Sequence, residues 1–337
     1  MSTDTNTLQY WINWRFLLCT VWVLCPMVAA AILIRKYEGP SHGPGVGVVY
    51  SDESWRPCFK HLNPAWLLAY RLLSFFFLLF LLFLNFAVDG LDSLFYYTIW
   101  TFFLVTLYFA IGSVLSIHGC RQYRRWHGCT ERRALIGPDS DRERGTYVPP
   151  TIQGIPYPTN SNANSSYGTD QTQKEICFPQ VADDRKIAGF WGYLFQIIYQ
   201  TNAGAVMITD CVFWFVIFPF RAMKDYDFNL LLAGTHSVNV VFLIGDITLN
   251  SLQFPWFRIA YFLLFTGIFV IFQWAFHACV SMWWPYPFMD LSLPLSPLWY
   301  FAVAALHLPC YAVFPLVMKL KHYLLSRFFP HSYHLLK

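Results

Sequence analysis

Among the ionisable residues that lie inside long apolar runs, where chemistry-bearing groups are least expected, are Asp210, His236 and Asp246. A charge or imidazole at membrane depth is costly, so each is a functional candidate by default. The types suit acid–base work, with histidine moving a proton and a carboxylate orienting it. Asp210 lies eight residues before the end of one apolar run near 218, and His236 eight residues after the start of the next near 228. On adjacent antiparallel helices, eight residues of rise put both about 12 Å below the same boundary. Positions 236, 239, 243 and 246 share one helical face, which carries His236, Asn239 and Asp246. Gln273 and His277 on the next run, and His307 on the last, are the further polar groups that a cavity here would collect. The alternative is an interhelical hydrogen-bond network that only holds helices together.

A second cluster is the repeated tripeptide HGC-x6-HGC, which supplies His118, Cys120, His127 and Cys129. The side-chain types suit zinc, but the spacing is unlike that of finger pairs, and no metal or other cofactor is expected. Lipidation of the juxtamembrane Cys120 is at least as good a reading, and no role for the cluster is the leading one. There is no GxSxG elbow, HExxH, P-loop or Rossmann glycine pattern, and the histidines lack the close clustering of a membrane di-iron oxidase.

The elements that must position these residues follow from composition. Of 337 residues, 56% are hydrophobic and only 12% charged, about half the charged share of a water-soluble domain. Such a chain cannot cover its surface in water, so lipid must solvate much of it. Crossing the hydrocarbon takes about 20 apolar residues, and seven stretches qualify: 12–34, 65–87, 94–118, 189–218, 228–250, 257–278 and 296–318. The expected fold is all-α, a polytopic transmembrane bundle of about seven spans. Residues 1–14 hold no lysine or arginine, so the first stretch reads as a retained anchor rather than a signal. Arg71, near the start of the second stretch, is expected to snorkel to the membrane surface.

Charge placement predicts the orientation. Arg35, Lys36, Arg56 and Lys60, the run CRQYRRWHGCTERR, Arg258 and the tail residues Lys319, Lys321, Arg327 and Lys337 all fall on one side if the N-terminus is outside. Loops 88–93 and 279–295, on the other side, carry no basic residue. The chain thus divides into an outer N-terminus (1–11), a three-helix part (12–118), a cytoplasmic loop (119–188), a four-helix part (189–320) and a cytoplasmic tail (321–337). Within the loop, residues 136–187 are rich in Pro, Gly, Asn, Ser and Thr and read as a disordered linker. WWPYPF, 283–288, reads as a turn at headgroup level, where Trp and Tyr belong.

The stretch FYYTIWTFFLVTLYFAIGSVLSIHGC, residues 95–120, resembles the rolling stone-like membrane proteins. The run from GFWGYLFQIIYQTNAGAVMITDCVFW through WWPYPFMDLSLP is similar to plant-type members of that group and, more distantly, to the androgen-induced membrane protein family. The distant resemblance implies hydrolysis of fatty-acid esters by an intramembrane threonine and a histidine. Thr209-Asp210, the GTHS containing His236, Asp246 ten residues on, and WWPYPF match its pattern, while the expected threonine position falls near Gly192 or Tyr193. Under this reading His236 is the acid or base, Asp210 or Asp246 orients it, and Thr201 or Thr209 is a relocated nucleophile.

The first expectation is a membrane protein with a non-catalytic role in adhesion, signalling or assembly. An intramembrane lipid-ester hydrolase is the second, and a small-molecule transporter the third. The partners expected are membrane lipids, with a lipid substrate under the hydrolase reading, and no nucleic acid. Plasma membrane and endoplasmic reticulum are not distinguished.

Overall fold

The computed structural model describes residues 5, 7–38, 47–135, 186–219, 230–280 and 282–333, without the side chains of 129–135 and 230–232. Residues 136–185 of the expected linker, and residues 220–229, which hold Arg221 and Lys224, the two basic residues expected in the outer loop between the fourth and fifth stretches, lie outside the described residues. The chain is an all-α polytopic bundle: α1 (Leu8–Trp11), α2 (Trp14–Tyr37), α3 (Pro64–Asp89), α4 (Tyr97–Leu135), α5 (Phe190–Val212), α6 (Leu230–Thr235), α7 (Val238–Leu249), α8 (Ile259–Cys279) and α9 (Ser296–Phe328). Among the described residues six helical stretches are long and apolar enough to cross a membrane. The fifth expected span is a shorter helix broken in two at His236-Ser237, between α6 and α7.

Two compact units are distinguished, Met1–Gly119 with Lys186–Lys337, and Cys120–Arg185. The second holds the last turns of α4, which run on through CRQYRRWHGCTERR to Leu135 rather than ending at 118. Arginine and glutamine are good helix formers, so the helix outlasts its apolar stretch.

Within the first unit, the pattern of α3 shows how lipid and protein divide a helix. Leu73, Phe76, Phe80 and Phe83 are exposed, while Arg71, Ser74, Leu78, Leu82 and Asn85 are buried. The apolar face looks out and the polar groups look in, as a hydrocarbon solvent requires. Helix α5 is the centre: Gln196, Gln200, Thr201, Asn202, Thr209 and Asp210 on it are all buried. Surrounded by α2-facing helices α8 and α9 and by α7, it meets little lipid and can afford to be the least hydropathic of the six. Close approach depends on small residues. A Cβ on Gly204 would sit 2.3 Å from the Phe262 ring, and one on Gly245 2.0 Å from the Tyr70 hydroxyl.

At the end of the bundle rich in basic residues, the segment 47–63 lies across the helix ends. It forms single antiparallel bridges between Tyr50 and Ile187, Pro57 and Asn250, and Phe59 and Tyr333. Arg258 Nη2 and Glu38 Oε1 pair at 2.8 Å beside it.

Candidate functional site

Two buried constellations among the described residues take up Asp246 on the one hand and His236, His307 and Thr209 on the other; the remaining sequence candidates fall outside both. The first centres on Asp246. Arg71 Nε lies 2.8 Å from Asp246 Oδ1, with both side chains 0% exposed. Asn250 Nδ2 donates to Asp246 Oδ2 at 2.7 Å, and the Tyr108 hydroxyl donates to the same oxygen. Arg71 Nη1 donates to the Ser54 carbonyl at 2.6 Å and to Ser116 Oγ at 2.8 Å, and its guanidinium lies 5.0 Å from the centre of the Phe195 ring. Lys321 Nζ donates to the carbonyls of Ile247 and Asn250, both at 2.6 Å, which closes the C-terminus of α7. Arg71 therefore does not snorkel. A carboxylate, the oxygens of Ser54, Ser116 and, at 3.3 Å, the Gly112 carbonyl, and an aromatic face satisfy it in place, and its main partner is 175 residues away in sequence.

The second constellation surrounds a half-enclosed, almost wholly apolar cavity of about 120 Å³ walled by α2, the start of α4, α5, α8, α9 and the 286–289 turn. His236, His307 and Thr209 line it. It adjoins a second apolar hollow through the shared residues Val212, Phe288, Trp299 and Val303. The backbone loses regularity on two sides of it: α5 continues into a π-helical turn over Phe213–Ile217, and His236 sits at the α6–α7 break. On a third side Pro26 lies within the unbroken α2. Phe213 reaches that break, its ring 3.7 Å from the His236 imidazole and parallel to it within 2°. Trp214 Nε1 donates to the His236 carbonyl at 3.1 Å, covering an oxygen that the broken helix leaves free.

His236 is 6% exposed and its Nδ1 has no hydrogen-bond partner among the described residues. His307 is 4% exposed; its Nδ1 is 2.7 Å from the Val303 carbonyl, and its Nε2 has no partner among the described residues. Both oxygens of Asp210 are likewise buried and without a partner among the described residues. Helix α5 meets the break through Phe213, one turn beyond Asp210, and no hydrogen bond joins Asp210 or Asp246 to His236. Thr209 Oγ1 is 2.7 Å from the Ala205 carbonyl and 3.3 Å from Thr101 Oγ1, and Thr201 Oγ1 is 2.9 Å from the Ile197 carbonyl. Both threonines donate back into α5, and neither is hydrogen-bonded to His236.

His277 is not part of the cavity wall. Its Nδ1 lies 2.7 Å from the Gln273 carbonyl, its Nε2 3.3 Å from that of Trp283, and its ring stacks on Trp284 at 3.8 Å. In the HGC repeat, Cys120 and His127 are seven residues apart on continuous helix, roughly 10 Å of rise and too far for one ion. His118 is exposed, and residues two apart on a helix do not face each other. The Cys129 side chain lies outside the described residues; among those described, no group of three or more His, Cys, Asp or Glu could hold a metal.

No protein-family model, curated protein or solved structure matches the chain.

Proposed function

We propose that this multi-pass membrane protein binds a lipid-like molecule in the cavity between α2, α5, α8 and α9. The observation that carries the reading is one apolar hollow whose wall holds two buried imidazoles, each with a nitrogen lacking a partner among the described residues. Ligand sites are mostly apolar with a few polar groups to fix orientation. With the basic end in the cytoplasm, as the charge distribution predicts, the cavity opens in the outer half of the bilayer. Photolabelling of the full chain in phosphatidylcholine nanodiscs by a diazirine-bearing long-chain probe tests this. Labelling should fall on cavity residues and be lost in Ala304→Trp, whose indole fills the hollow. Labelling spread over the lipid-facing helices, unchanged in Ala304→Trp, would overturn it.

One observation favours a second, catalytic reading, in which the ligand is a lipid ester: Thr209 and His236 line the same cavity. Hydrolysis would require Thr209 to release the Ala205 carbonyl and give its proton to His236 as it attacks the ester carbon; His236 would hand that proton to the departing alcohol as the C–O bond breaks, and water would then cleave the acyl-threonine to free the acid. Covalent labelling by a fluorophosphonate, lost in both Thr209→Val and His236→Phe, supports it; no labelling of the folded chain removes it.

A further inference from the structure

The tautomer of one histidine constrains what the cavity can hold. The Val303 carbonyl can only accept, so His307 Nδ1, 2.7 Å away, carries the ring hydrogen. In the neutral ring, Nε2 is then an acceptor, and it is buried in the cavity wall with no partner among the described residues. None of the wall hydroxyls is hydrogen-bonded to it: Tyr97 pairs with Thr266 at 2.8 Å, Thr209 donates to Ala205, Tyr300 donates to the Met289 carbonyl at 3.2 Å, and Tyr286 accepts from the Tyr97 backbone N–H at 3.0 Å. Water is a poor occupant of such a place, because an ordered buried water needs two to four polar partners. What fits is a large apolar body carrying one hydrogen-bond donor.

We propose that His307 Nε2 accepts a hydrogen bond from the hydroxyl of a neutral lipid alcohol, whose apolar body fills the cavity between α5 and α9 and the adjoining hollow. The inference rests on the cavity being a ligand site and adds the chemistry that it selects. The hollow reached through Val303 and Trp299 gives the body room, and Trp299, 38% exposed, stands at its edge. The Phe262 ring, 4.5 Å from the imidazole and itself outside the cavity wall, packs against His307. An ester or ether of the same alcohol offers only acceptors and leaves Nε2 unsatisfied, a loss worth about tenfold in affinity.

The test compares three photoreactive probes on the full chain in phosphatidylcholine nanodiscs: a long-chain alcohol, its methyl ether and the matching carboxylic acid. A photoreactive sterol and its methyl ether distinguish a polycyclic from a linear alcohol. Wild type should take up an alcohol about tenfold better than its ether; His307→Phe should erase that preference and His307→Gln, whose Oε1 accepts, should keep it. Equal labelling by alcohol and ether in wild type, still blocked by Ala304→Trp, overturns hydroxyl recognition and leaves the cavity a lipid site. Preference for the carboxylate overturns it too, since His307 would then be acting as a cation. No cavity labelling by any probe overturns the ligand site itself. The wild-type comparison stands even where His307→Phe fails to fold.

Discussion

Replacing Asp246 by alanine strands the Arg71 guanidinium in the bundle interior. Four hydrogen bonds end on the Asp246 carboxylate: two from Arg71, at 2.8 and 3.4 Å, and one each from Tyr108 and Asn250. Breaking a fully buried pair from one side costs about 3–5 kcal/mol. The lower end applies here, because Arg71 Nη1 keeps Ser54, Ser116 and, at 3.3 Å, the Gly112 carbonyl. About 3 kcal/mol is a factor of about 150 in the folded-to-unfolded ratio. Arg71→Met should cost a similar amount, since it leaves the carboxylate unpaired. The double replacement Arg71→Met with Asp246→Leu removes both charges and should cost about 1–2 kcal/mol, far less than the sum of the single changes. Unfolding by sodium dodecyl sulfate in mixed micelles, followed by tryptophan fluorescence, measures the cycle. Additivity within about 0.5 kcal/mol, or an Asp246→Ala change no worse than an exposed substitution, would refute the assignment of Asp246 to structure. A stable Asp246→Asn chain that lost fluorophosphonate labelling would instead return Asp246 to the histidine.

Gly204→Ala should cost about 1–3 kcal/mol, since its Cβ meets the Phe262 ring at 2.3 Å, while Gly189→Ala, with nothing within 4 Å, should be silent; melting of the two variants in detergent compares them. Trp214→Phe removes the donor to the His236 carbonyl and should cost about 1 kcal/mol, read as faster amide exchange around 235–238 with α5 unchanged. Burial raises the Cys58 thiol above its ordinary value of 9.0, so the folded chain holds a proton that the unfolded chain gives up. The stability from that retained proton is complete below about pH 9 and declines as pH rises past it. Alkylation by N-ethylmaleimide at about pH 8 should therefore leave Cys58 behind the exposed Cys279, and Cys58 should catch up only as pH rises past 9. Equal rates at the lower pH would contradict the burial.

The bundle was legible because hydrocarbon thickness sets a length that apolar runs must meet. The stretches expected at 12–34, 65–87 and 257–278 match α2, α3 and α8 within a few residues. Helix ends were less legible, since α4 and α9 project beyond the apolar stretch on residues that favour helix in water as well. The break at His236 had a signal that went unused: Gly234, Thr235 and Ser237 are all weaker helix formers than their neighbours. The π-helical turn in FWFVI had none, because its residues serve an α-helix equally well. Nor did Arg71, whose position near an apolar boundary fits snorkelling and pairing alike. Only the fold brings Asp246, Tyr108 and Ser116 to it.

The placement of these irregularities argues for where the molecule acts. Non-helical backbone at membrane depth is tolerated where protein covers it or a cavity lies against it. A proline frees a carbonyl one turn back, here that of Trp22. Pro26, Trp22, Phe213, Ile217 and His236 all line the one cavity, although they come from three separate stretches of chain. A bundle built only to stand in lipid would gain nothing by breaking two walls of a single hollow and setting a proline in a third while sealing Asp246 so completely. The two broken walls carry His236 and stand with His307 around that hollow, which is why the proposed ligand is placed there and not at Asp246.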